Sequence, residues 1–93
     1  DYAFQLDILR KAGIIKQIEP QFTIPLIVNG SPICKHVVDF KVWWSNGVTS
    51  WEEVKGRQTN EYKIKLKLLK ALYPKEVYRI HTKESSDLSM PIK

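Results

Sequence analysis

Val37-Val38-Asp39-Phe40-Lys41-Val42-Trp43-Trp44-Ser45-Asn46-Gly47-Val48-Thr49-Ser50-Trp51-Glu52-Glu53-Val54-Lys55-Gly56 is the stretch whose reading decides how this chain folds. Two runs of β-branched and aromatic residues flank an Asn-Gly turn, the pattern of a hairpin. Each run carries an acid where a plain core strand would carry another apolar residue: Asp39 in the first, Glu53 in the second. Lys55 follows Glu53 by two. Side chains alternate faces along a strand, so Glu53 and Lys55 share a face and Val54 points the other way.

The turn decides whether Asp39 joins them. A two-residue Asn46-Gly47 loop pairs Ser45 with Val48 and Asp39 with Val54, which puts Asp39 and Glu53 on opposite faces. A three-residue Ser45-Asn46-Gly47 loop, with Gly47 left-handed, pairs Trp44 with Val48 and Asp39 with Glu53, their Cβ atoms about 5 Å apart. Both loops are open to this sequence. In the second, two carboxylates that close repel unless a cation lies between them. Mg²⁺ suits such a pair, since it takes hard oxygen ligands and keeps several waters. The Val54 carbonyl is a third candidate ligand. The Lys55 ammonium is placed to hold an attacking water or to steady developing negative charge. Read blandly, the same hairpin is a solvated face with ordinary surface charges, because short acid-x-Lys matches arise by chance.

Outward from the hairpin, turn residues and periodicity divide the chain. Residues 2–12 read as a helix, with Tyr2, Leu6 and Leu9 at i, i+4 and i+7 and Gly13 as its stop. Ile14 and Ile15 then pack back on the domain. Glu19-Pro20 breaks the pattern, and residues 22–28 read as a first strand that Pro25 confines to the sheet edge. Asn29-Gly30 is a turn. Residues 33–44 and 48–55 are the second and third strands, with Val38, Phe40, Val42 and Val54 expected on one core face. Thr59 is the N-cap of a helix over residues 60–73, whose apolar stripe is Tyr62, Leu66, Leu69 and Tyr73. Pro74 ends it, and residues 76–81 form a last strand. The order is α-β-β-β-α-β, an α/β fold with a mixed four-stranded sheet whose last strand runs parallel to the third through a right-handed crossover.

At 93 residues this is one domain, expected over residues 1–83, with the polar residues 84–93 as a flexible tail. No run approaches the roughly 20 apolar residues of a membrane span, and no signal peptide is visible. The lone Cys34 excludes an intramolecular disulfide and a multi-thiolate zinc site. A cytoplasmic protein with no membrane partner is expected. The chain does not begin with Met, so it reads as a fragment. The net charge of +5 favours a polyanionic partner, of which DNA is a common one.

An acid on the second strand, acid-x-Lys on the third and a helix behind them resemble the core of the PD-(D/E)XK nuclease superfamily. More narrowly, the chain resembles small phage and prophage endonucleases related to phage Holliday-junction resolvases. The matching stretches are Leu9 with Lys11-Ala12-Gly13-Ile14-Ile15, Gln21, Asn29-Gly30, Val38-Asp39-Phe40, Glu53-Val54-Lys55-Gly56 and Tyr62-Lys63-Ile64-Lys65-Leu66-Lys67. The resemblance implies a restriction-endonuclease-like core and Mg²⁺- or Mn²⁺-dependent cleavage of DNA, with branched DNA among the substrates, in a bacterial or phage-infected cell. It implies metal on Asp39, Glu53 and the Val54 carbonyl, and Lys55 near the nucleophile. Relatives of this kind usually carry a further glutamate early in the first helix, just upstream of where this chain begins, and Asp1 and Asp7 do not match it. A non-catalytic DNA-binding module with a truncated or degenerate site is the alternative.

The remaining candidates are basic and aromatic. Arg57 follows the acid-x-Lys motif directly and is a candidate phosphate contact. Lys63, Lys67 and Lys70 recur at i, i+4 and i+7, either as a phosphate-binding stripe or as a solvated helix face. Trp43, Trp44 and Trp51 read as core or interface residues. Junction cleavage would need two active sites and hence a homodimer, with these tryptophans as its contact. With the three-residue loop, Lys41 lies opposite Trp51 at cation–π range. His36 and His81 read as structural or surface residues.

Overall fold

Six elements follow one another: α1 (Tyr2–Lys11), β1 (Ile15–Val28), β2 (Ser31–Trp44), β3 (Thr49–Val54), α2 (Asn60–Leu72) and β4 (Val77–His81). The structure, a computed structural model, describes residues 2–55, 58–81 and 90–91. The strands make one sheet in the order β1-β2-β3-β4. The first three are antiparallel and β4 is parallel to β3, reached through α2. The expected α-β-β-β-α-β order and mixed sheet are therefore present.

Local chemistry sets the ends of these elements. Gly13 stops α1 at φ 83°, and Asn29 and Gly30, at φ 49° and 80°, close the two-residue turn that pairs Val28 with Ser31. β1 starts seven residues earlier than expected, at Ile15, and runs through both Pro20 and Pro25. Proline cannot donate to a ladder, but β1 lies at the sheet edge and needs donors on one side only. Glu19-Pro20 thus interrupts the apolar pattern without ending the strand. At α2, Thr59 accepts a hydrogen bond from the Tyr62 N–H at 3.1 Å and caps the helix.

The β2–β3 turn takes the longer of the two loops. Trp44 N–H donates to the Val48 carbonyl at 2.9 Å, and Gly47 N–H donates to the Trp44 carbonyl at 3.1 Å. Gly47 sits at φ 88°, the left-handed conformation that a third loop residue must adopt. The ladder then pairs Trp43 with Thr49, Val42 with Ser50, Lys41 with Trp51 and Phe40 with Glu52. One more step along that register brings Asp39 opposite Glu53. Met90 and Pro91, the described part of the expected tail, lie on this turn. Asn46 donates from its side chain to the Pro91 carbonyl at 2.7 Å, and Ser45 Oγ donates to Met90 Sδ at 3.6 Å.

Apolar side chains gather in two clusters, one for each helix. Leu6 of α1 packs with Ile15, Val42 and Trp44. Leu69 of α2 packs with Ile24, Leu26, Val38 and Trp51. Even-numbered residues of β2 supply both clusters, so the long β1–β2 ribbon must turn over along its length. The left-handed Gln21, at φ 53°, and its unpaired neighbour Asp39 mark the changeover. This corrects the expectation of one face shared by Val38, Phe40, Val42 and Val54. Val38 and Val42 fall in different clusters, and Val54 is 44% exposed, because β2 has left β3 at that point.

The tryptophans divide, and one aromatic expectation changes. Trp44 and Trp51 are buried within the chain, as the core reading has them; Trp43 is half-buried. Lys41 is opposite Trp51 in register, yet its ammonium lies over Phe22 at 4.6 Å and Trp43 at 5.0 Å. Trp51 is taken up by Tyr73, whose ring meets it edge-on at 5.4 Å. Among the described residues, no helix is long and apolar enough to cross a membrane.

Candidate functional site

The site lies where β2 and β3 part. Beyond Phe40 and Glu52 the ladder stops, and the next backbone donor of β3 bonds to a side chain instead. Val54 N–H donates to Asp39 Oδ2 at 2.7 Å. On the other edge of β3, Lys55 N–H donates to the His81 carbonyl of β4 at 2.9 Å. The N–H and C=O of a strand residue leave on the same edge, so the Val54 carbonyl also faces Asp39. Asp39 Oδ1 carries no hydrogen bond among the described residues.

Glu53 has a denser environment. Its side chain is on the α2 face of β3, and the residue is only 3% exposed. The Tyr62 hydroxyl of α2 donates to Oε2 at 2.9 Å, and the Tyr78 hydroxyl of β4 donates to the same oxygen. His36 Nε2 of β2 lies 3.3 Å from it. Burial pushes the Glu53 carboxyl upward, but the bonds from His36, Tyr78 and Tyr62 outweigh that and hold it below the usual carboxylate range. Glu53 is therefore ionised at neutral pH. Both phenols are pushed up, chiefly by burial and then by the hydrogen bond each donates to Glu53. They remain protonated and keep donating. With three groups on Oε2, the other oxygen is the one turned to Lys55, whose Nζ lies 3.9 Å from Oε1. That ammonium also sits 4.7 Å from the Tyr62 ring centroid.

Asp39, Glu53 and Lys55 are thus brought to one end of the hairpin, as the three-residue loop requires. A cleft of about 320 Å³ opens there between α2 and β2, lined by Lys35, His36, Glu53, Lys55, Tyr62 and Lys65, among others. A slightly larger hollow of about 350 Å³ separates α1 from β1, but its one carboxylate, Asp7, is already paired with Arg10 and Lys11. Lys63, Lys67 and Lys70 are exposed on α2. Lys70 lines a hollow with Glu76 and Tyr78, on the β4 side of the helix. Arg57 lies outside the described residues.

Sequence reasoning passed over three members of this site: His36, the Tyr62 hydroxyl and Tyr78. Tyr62 was legible only as an apolar stripe residue, although a tyrosine there carries a polar tip that burial must satisfy. His36 gave no signal, because its approach to Glu53 depends on how the ribbon turns after Asp39.

The neighbouring acid is built into the opposite face. Glu52 is fully buried. It accepts from Arg79 Nε on both oxygens, at 3.1 and 2.9 Å, and from the Tyr2 hydroxyl at 2.8 Å; His81 Nε2 is 2.6 Å away. Burial raises its carboxyl, while His81, Ser50 and Arg79 more than reverse this and hold it low. This network ties α1 to β3 and β4.

Among the described residues, no group of three His, Cys, Asp or Glu side chains is arranged to hold a metal ion. In comparison with known proteins, no family model, no curated protein and no solved structure matches this chain.

Proposed function

We propose that this chain is a Mg²⁺- or Mn²⁺-dependent endonuclease that hydrolyses phosphodiester bonds of DNA, after the manner of the PD-(D/E)XK nucleases it resembles. Its place of action would be the cytoplasm of a bacterial or phage-infected cell. The observation that carries the reading is the Asp39–Val54 bond. It anchors one carboxylate oxygen of Asp39 where β2 parts from β3, on the backbone N–H of the residue between Glu53 and Lys55, and leaves the other oxygen available.

The donor set fits a hard divalent cation. Asp39 Oδ1, Glu53 Oε1 and the Val54 carbonyl are all oxygens, and Mg²⁺ is commonly held by one or two carboxylates with water and substrate phosphate completing its shell. Bound there, the ion would polarise a phosphoryl oxygen and lower the pKa of a bound water. The chain's own groups do the rest. Tyr62 and Tyr78 fix the Glu53 carboxylate through Oε2. The Lys55 ammonium, held between Glu53 and the Tyr62 ring, orients a water or stabilises charge on the phosphoryl group.

One observation favours the alternative of a non-catalytic DNA-binding module: among the described residues no three His, Cys, Asp or Glu side chains are grouped to hold a metal ion. The test is to incubate the protein with supercoiled and four-way branched DNA, with and without Mg²⁺. Nicked or resolved products that need the metal support the nuclease. Binding of DNA with intact products in Mg²⁺ overturns it and leaves the binding module.

A further inference from the structure

The cleft between α2 and β2 has basic walls on both sides. Lys35 projects from β2 and Lys65 from α2, with Lys55 at the inner end beside Glu53. Lys65 lies on the shoulder of α2 next to the buried Tyr62, three residues along and so on nearly the same side of the helix. The stripe of Lys63, Lys67 and Lys70 lies on the other flank, and Lys70 borders the hollow beside β4. A backbone that reaches Glu53 and Lys55 along this cleft passes Lys35 and Lys65, and the stripe is turned away from it.

We propose that Lys35 and Lys65 are the phosphate contacts that seat one DNA strand in this cleft, one from each wall. This deepens the nuclease reading by naming its substrate track, and it rests on that reading for the identity of the polyanion. Lys65 is held in reserve by Glu61, at 3.6 Å across one helical turn. Glu61 is 80% exposed at its side chain. Such an exposed pair contributes little, so a phosphate can displace it. Glu53, the other acid lining the cleft, faces Lys55 and is one of the oxygens proposed for the metal. The cleft therefore presents cations to a strand on both walls, with one carboxylate at the reacting end and the other, Glu61, paired with Lys65 on the α2 wall.

The test is equilibrium binding of a labelled short DNA duplex to the full chain in Ca²⁺, across a range of salt concentrations. Removing one lysine–phosphate interaction flattens the slope of log affinity against log salt by about 0.9. The double variant Lys35→Ala with Lys65→Ala is expected to flatten it by about two and to weaken binding more than tenfold at low salt. Lys63→Ala with Lys67→Ala is expected to change the slope by less than about half a unit. Lys35→Arg with Lys65→Arg keeps both charges and is expected to keep the wild-type slope, which guards against a loss caused by misfolding. An unchanged slope in the first variant, a loss carried by the second, or no binding of DNA by the wild type would each overturn the proposal. Cleavage is scored separately in Mg²⁺. Binding that follows Lys35 and Lys65 without any cleavage would sink the nuclease and keep the track; cleavage with a slope indifferent to both lysines would do the reverse.

Discussion

Asp39 and Val54 are joined across the end of the β2–β3 hairpin by a side chain that stands in for backbone: Asp39 Oδ2 takes the Val54 N–H at 2.7 Å, where a further ladder carbonyl would otherwise be needed. The bond terminates the ladder and satisfies a donor that the departing β2 leaves behind. It also fixes the carboxylate in place before any ligand arrives.

Asp39→Asn should preserve this bond, since the amide oxygen still accepts. A hydrogen bond to a neutral acceptor is weaker than one to a charged acceptor, so the cost should be about 1 kcal/mol. Cleavage should nevertheless fall by at least about a hundredfold, because one of the two carboxylate charges is gone. Thermal unfolding beside Mg²⁺-dependent cleavage checks both parts. Wild-type activity at limiting Mg²⁺ would remove Asp39 from the site.

Lys55→Ala should slow single-turnover cleavage by about a hundredfold or more while weakening DNA binding in Ca²⁺ far less, since the interaction matters most in the transition state. Lys55→Arg should not restore the rate, because a planar guanidinium cannot replace a compact ammonium between Glu53 and the Tyr62 ring. Parallel losses of binding and turnover would make Lys55 a phosphate anchor instead.

Tyr78→Phe removes one of the donors on Glu53 Oε2. The carboxyl should rise towards its ordinary value and the side chain should gain freedom. Mn²⁺ affinity, read by electron paramagnetic resonance in the absence of DNA, should fall severalfold, and Tyr62→Phe with Tyr78→Phe should lower it further. An unchanged affinity in the double variant would show that the phenols do not position this ligand.

Glu52, Glu53, Tyr62 and Tyr78 should make stability fall below about pH 4.5 and again above about pH 10. Glu52 and Glu53 sit below their ordinary 4.5 in the folded state, so the unfolded chain binds more protons as acid is added; their contribution is complete above 4.5 and is lost as pH drops through the folded values. Tyr62 and Tyr78 sit above their ordinary 10.0, so the unfolded chain gives up protons first; their contribution is complete below 10 and is lost as pH climbs beyond it. Urea unfolding across pH measures both limbs, and Tyr62→Phe with Tyr78→Phe should flatten the alkaline one.

Glu52→Ala leaves Arg79 and His81 without their carboxylate and should destabilise the fold by about 3–5 kcal/mol. Glu52→Gln, which keeps the shape, should cost less. Neither change touches the α2 face of β3. Residual folded protein should therefore keep its DNA affinity, and a specific loss of that affinity would place Glu52 in the binding face after all.

What the sequence determined by itself was local. Asn29-Gly30 and Gly47 accept backbone angles that other residues resist, Thr59 caps a helix because its hydroxyl reaches an open N–H, and apolar spacing marks helix from strand. These features were enough for the element order and for placing Asp39, Glu53 and Lys55 on two neighbouring strands. The tertiary structure decided which faces those strands show. One residue more in the β2–β3 loop shifts the register so that Asp39 falls opposite Glu53 instead of opposite Val54, and strand side chains alternate with a period of two. It also decided that two adjacent acids have unlike partners: the parallel register sets Arg79 beside Glu52, while the turning of the β1–β2 ribbon carries His36 to Glu53. Those partners are 27 and 17 residues away along the chain, and no local pattern encodes which face they will reach.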